Sequence, residues 1–151
     1  MKFQISFRRQ EDMKKKLIAY AIPIFIICLG FVLPSLGAQD STRIITVSTK
    51  EAADLIDKHS GNSNFAVLDI RTPGEFQSGH LPDAILVDFY SQTFSDQLNR
   101  LDKEKSYLVY CRTGNRSTNS LGLFKKLKFD KIYHMSTGIS GWKSQDLPVV
   151  K

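Results

Sequence analysis

Residues 39–151 predict a three-layer α/β domain: a mainly parallel five-stranded sheet flanked by helices. Three observations carry that expectation. There are five short strand-like runs, and several are apolar nearly throughout, as strands covered on both faces must be. Helical patterns fall between them, and strands alternating with helices favour parallel crossovers. The stretch also has the size of one small domain, with chain enough to bury a core. The whole chain of 151 residues is 42% hydrophobic and 24% charged. That ordinary mixture excludes collagen-like, low-complexity and wholly disordered classes.

The first strand covers 44–47 (Ile-Ile-Thr-Val) after a short polar lead at 39–43. Ser48 and Glu51 then form a capping-box pattern ahead of Ala52-Ala53-Asp54-Leu55-Ile56, which opens a helix. Strands follow at 65–70 and 84–88. Phe94, Leu98 and Leu101 recur at helical spacing. The strand at 107–110 (Tyr-Leu-Val-Tyr) ends at Cys111. From about 115 to 127, Leu121, Phe124 and Leu127 share one helical face, and a last strand covers 131–134. In parallel α/β sheets, ligand sites form beyond the carboxyl ends of strands, and Cys111 stands at such an end.

The N-terminus has a different character. The chain carries a net +6, but residues 1–38 hold six basic and two acidic residues, a net +4. Residues 39–151 hold fifteen basic and thirteen acidic residues, a net +2, so nucleic acid is not expected as a partner. Lys14-Lys15-Lys16 precedes an uncharged run from 17 to 33, and Ser35-Leu36-Gly37-Ala38 follows. This is the layout of an export signal, with cleavage after Gly37 or Ala38 and a start at Met1 or Met13. The same run reaches the lower length limit for a membrane anchor. Both readings place 39–151 in a periplasmic or other extracytoplasmic space, because the lysines stay inside; membrane contact requires an uncleaved segment. Cys28 falls within that segment. Cys111 is then the one cysteine of the exported body, with no partner for an internal disulfide.

The sequence from Tyr107 to Ser117 reads as a buried strand, a cysteine, a tight loop containing Gly114, and a helix start. Such a loop turns several backbone N–H groups inward, and with the positive end of the helix they cradle an anion. If the anion is the Cys111 sulfur, its pKa falls and it becomes a nucleophile at neutral pH. Arg112 and Arg116 add charge for the thiolate and for an anionic substrate. Gly114 lets the backbone turn without a Cβ clash. His59 and His134 lack partners at ligand spacing, so no metal or other cofactor is expected.

The string Cys111-Arg112-Thr113-Gly114-Asn115-Arg116-Ser117 resembles the active-site loop of single-domain rhodaneses, the thiosulfate-type sulfurtransferases. The resemblance extends to Asp69-Ile70-Arg71-Thr72-Pro73-Gly74-Glu75-Phe76, to Gly79-His80-Leu81-Pro82, and to Gly138-Ile139-Ser140-Gly141-Trp142 with Leu147-Pro148. It covers roughly 44–150. It implies that Cys111 takes the outer sulfur of a donor such as thiosulfate, becomes a persulfide, and passes the sulfur to a thiol, cyanide or protein acceptor. By the same resemblance, residues 112–116 hold the persulfide with backbone amides. Arg116 binds the anionic donor, Arg112 tunes donor preference, and Ser117 caps or opens the next helix. Asp69 organises the loop from behind, Arg71 forms a structural ion pair with Glu75, His80 is a turn residue, and Trp142 packs the C-terminal segment. Asp83, Lys128 and Thr137 stand where the family often has glycine.

Phosphatases and arsenate reductases of related folds place five residues between cysteine and arginine. Here four separate Cys111 from Arg116, a smaller ring suited to a sulfur atom. A second alternative is a rhodanese-like persulfide carrier or binding module without turnover of its own. A disulfide oxidoreductase is disfavoured because Cys111 lacks a CxxC partner.

Overall fold

The computed structural model describes residues 41–151. The expected export segment and its cleavage points lie outside the described residues. Within them, no helix is long and apolar enough to cross a membrane.

Five strands form one sheet: β1 (Arg43–Val47), β2 (Phe65–Asp69), β3 (Ala84–Leu86), β4 (Ser106–Tyr110) and β5 (Lys131–Met135). Their spatial order is β1-β5-β4-β2-β3, and every neighbouring pair is parallel. Four helices connect them, α1 (Thr49–Lys58), α2 (Pro73–Gln77), α3 (Phe94–Asn99) and α4 (Asn115–Lys126), and α5 (Gly138–Lys143) follows the last strand. The capping box at Ser48 and Glu51 is present at the start of α1, as the sequence predicts.

Central β4 shows why its sequence is apolar from Tyr107 to Tyr110. Tyr107 and Val109 face one core with Leu98 of α3, Phe124 of α4 and Ile132 of β5. Leu108 and Tyr110 face the opposite core with Ala52 of α1, and with Ile139 and Trp142 of α5. Strand side chains alternate between faces, so a strand covered on both sides needs an apolar residue at every position. The three layers follow from that.

Three described residues other than glycine take the left-handed backbone, Asp83 (φ 57°), Lys128 (φ 62°) and Asp146 (φ 53°). Asp83 and Lys128 stand where the family resemblance leads one to expect glycine, and their backbone has the conformation that glycine favours. Asp reaches it more readily than most non-glycine residues, because its short polar side chain can hydrogen-bond locally. Trp142 Nε1 donates to the Pro148 carbonyl at 2.9 Å, and His80 and Val150 exchange backbone hydrogen bonds, so the C-terminal segment is tied to the domain at two points.

The topology fixes where a site forms. From β4 the chain continues to β5 on one side, and from β2 it continues to β3 on the other. The connections therefore diverge beyond the carboxyl ends of β4 and β2, leaving a crevice at that switch point.

Candidate active site

Cys111 is the first residue past β4 and is 1% exposed. The chain then doubles back, so that Gly114 N–H donates to Cys111 Sγ at 3.1 Å and the Ser117 hydroxyl lies 3.6 Å from it. Gly114 reaches this position at φ 92°, and a Cβ there would collide with the Ser136 carbonyl. The loop is also clamped from outside. Ile139 N–H and Ser140 N–H donate to the Cys111 and Arg112 carbonyls, both at 2.9 Å. Gly138 permits that approach: at φ 59°, its missing side chain would press on those same carbonyls.

Burial pushes the Cys111 thiol up. Against it act the Ser117 amide and hydroxyl and the amides of Thr113 and Gly114, and the net result lies below the ordinary thiol value. These amides sit at the start of α4, whose positive end favours a thiolate.

A cleft of about 310 Å³ opens in front of Cys111. It is lined by Thr72 and Glu75 from beyond β2, Tyr90 from beyond β3, and the loop residues Arg112, Thr113, Asn115 and Arg116. The expected loop residues are thus brought together, with Arg112, Thr113 and Asn115 exposed and Gly114 and Ser117 buried.

Two expectations change. Arg71 does not pair with Glu75. Its guanidinium turns inward to Asp69, with Nη2–Oδ2 at 2.6 Å, and donates to the Gly79 carbonyl. Tyr110 OH donates to Asp69 at 2.7 Å and accepts Leu81 N–H at 3.1 Å. Asp69 and Arg71 thus join the end of β2, the 79–81 turn and the residue before Cys111, without touching the sulfur. Glu75 instead receives Nη1 and Nη2 of Arg116 at 2.7 and 2.8 Å. The Arg116 hydrogen bonds hold its carboxyl down at about 2, against burial and with help from the Thr72 amide.

Ser117 does not cap α4 either. Gly114 occupies the cap position, and Ser117 is buried within the first turn, behind the sulfur. There it meets His134 of β5, whose Nε2 is 2.9 Å from the Ser117 hydroxyl. His134 has no signal in sequence, because its neighbour is set by strand register rather than by spacing. The Thr72–Glu75 capping box with Pro73, which starts α2, has one: Thr-Pro-x-Glu is a helix-start pattern. Among the described residues, no group of three or more His, Cys, Asp or Glu side chains is placed to hold a metal.

The family model for the rhodanese-like domain matches residues 48–145. The probable adenylyltransferase/sulfurtransferase MoeZ of Mycobacterium tuberculosis is 29% identical over 111 residues, which are 74% of this chain and 28% of MoeZ. The present chain therefore spans little more than a quarter of that relative's length. The thiosulfate sulfurtransferase GlpE of Actinobacillus pleuropneumoniae is 26% identical over 109 residues, 72% of this chain and 95% of that protein. Among solved structures, a rhodanese-related protein from Thermoplasma volcanium superposes with a TM-score of 0.60 at 24% identity, covering 70% of this chain and 97% of the other. A cysteine loop beyond the central strand of a parallel sheet, within a sequence that this family model matches from 48 to 145, places the chain in the rhodanese-like domain family.

Proposed function

We propose that the protein is a sulfurtransferase that carries sulfane sulfur on Cys111, with thiosulfate as the first donor to try. The observation that carries the reading is the environment of Sγ: buried, met by an amide at 3.1 Å, with a thiol pKa below the ordinary value. In the loading step the Cys111 thiolate attacks the outer sulfur of thiosulfate. The new S–S bond forms as the old one breaks, and sulfite leaves with the bonding electron pair. In discharge a thiol or cyanide attacks the outer sulfur, and Cys111 leaves as the thiolate. Arg112 offers positive charge to an incoming anion, and Arg116 does so as half of its pair with Glu75. The exported location remains part of the proposal, resting on the N-terminal charge and hydropathy pattern.

The phosphatase alternative is disfavoured by the loop. Four residues between Cys111 and Arg116 make a ring whose Gly114 amide already reaches the sulfur itself. The test is thiocyanate formation from thiosulfate and cyanide by the full chain. Turnover is expected in the wild type and absent in Cys111→Ser; equal turnover in both would refute the role of Cys111.

A further inference from the structure

The chemistry above uses the front of the cysteine loop, and a buried histidine behind it has no part there. His134 is 3% exposed, and the parallel register sets it beside Val109, two residues before Cys111. Its neighbour Ser117 is fully buried. Around the Ser117 hydroxyl oxygen lie the Gly114 carbonyl at 2.9 Å, His134 Nε2 at 2.9 Å and Cys111 Sγ at 3.6 Å. The hydroxyl has one proton to give.

The carbonyl has the least need of it. Gly114 O already accepts Thr118 N–H at 2.8 Å and the Thr118 hydroxyl at 2.9 Å, and it lies against His134 as well. The choice therefore lies between the sulfur and the imidazole, and the tautomer of His134 decides it. With the proton on Nε2, His134 donates to Ser117 and Ser117 donates to Sγ. With Nε2 bare, the imidazole accepts the hydroxyl's hydrogen bond and the sulfur loses a donor. Burial pushes the His134 pKa down, against the Gly114 carbonyl, so the ring is neutral at pH 7 and one tautomer must be chosen.

We propose that His134 is a positioning residue for the Cys111 thiolate, turning the Ser117 hydroxyl onto Sγ through its Nε2–H. This rests on the reading of Cys111 as the sulfur carrier. A donor at Sγ raises the fraction of thiolate ready to attack and makes Cys111 a better leaving group when the sulfur is passed on. The other titratable groups lining the cleft before the sulfur are Glu75, Tyr90, Arg112 and Arg116. Changes at 117 and 134 leave all four in place.

The test is the pH dependence of Cys111 alkylation by iodoacetamide in the full chain. Ser117→Ala and His134→Leu are each expected to move the midpoint upward and slow alkylation at pH 7 about three- to tenfold, the worth of one ordinary hydrogen bond, as suits the long 3.6 Å contact. His134→Gln keeps an N–H donor near the Nε2 position and is expected to restore most of the rate. In the Ser117→Ala background, His134→Leu is expected to add less than about twofold, since both changes remove the same donation. An unmoved midpoint in His134→Leu, or losses that multiply in the double variant, would overturn the proposal. Nitrogen-15 NMR of the wild type gives an answer without any variant: an Nε2–H tautomer is expected, and an Nδ1–H tautomer would overturn it. Alkylation reads the thiolate whether or not sulfur moves, so failure of sulfur transfer and failure of this inference give different results.

Discussion

At the residue scale, the cysteine loop depends on backbone that only glycine supplies easily. Gly114→Ala would put a Cβ into the Ser136 carbonyl at φ 92°. The left-handed backbone alone costs about 1–2 kcal/mol for other residues, and the clash adds to it. The variant is expected to unfold at lower temperature and to show a raised Cys111 pKa as its amide shifts from Sγ. Gly74→Ala is the control, since nothing lies within 4 Å of that position. A Gly114→Ala protein with the stability and thiol titration of the wild type would refute the assigned geometry. The cysteine, its arginines and its glycine were legible because they are contiguous and each has a local physical reason. The Ser117–His134 contact was not, because the two positions are seventeen apart in the chain and only the β4–β5 register joins them.

At the element scale, short helices hold the site more than their length suggests. Glu75 closes the capping box of α2 and also receives Arg116 from the first turn of α4, so one carboxylate joins two elements across the cleft. Its folded pKa, about 2, lies below the ordinary 4.5. A lowered carboxyl pKa contributes stability that is fully present above about 4.5 and is lost as the pH falls through about 2. Glu75→Gln is therefore expected to be less stable than wild type by about 1 kcal/mol at neutral pH, a modest value for a partly exposed bidentate pair. That gap is expected to close between about pH 4.5 and 2 in thermal unfolding. Parallel curves for the two proteins would contradict the pairing. The sequence reading found all five strands and the helices at α1, α3 and α4, where apolar spacing or capping marks them. It placed Glu75 with Arg71 because the family resemblance implies that pair. Arg71 precedes the helix, however, and buried Asp69 offers its guanidinium a closer and drier partner. No local pattern decides between such competing partners.

At the scale of the whole molecule, the strand order creates the site. Apolar strands alternating with helices predict a parallel sheet, but the order β1-β5-β4-β2-β3 follows from long-range packing and was not readable. That order sets β4 beside β2 with diverging connections, which brings Thr72, Glu75 and Tyr90 around a cysteine that lies 21 or more residues further along the chain. The sheet thus holds Cys111 against a polar cleft, while the Asp69–Arg71–Tyr110 network beneath it fixes the end of β2. The central claim is that this arrangement loads sulfur onto Cys111. The most direct test is the intact mass of the reduced full-length protein after thiosulfate treatment, beside Cys111→Ser. The account predicts a gain of one sulfur atom in the wild type, absent from the variant and removed by cyanide or a thiol. A folded, reduced wild-type protein that gains no sulfur from thiosulfate or from an organic persulfide would contradict it.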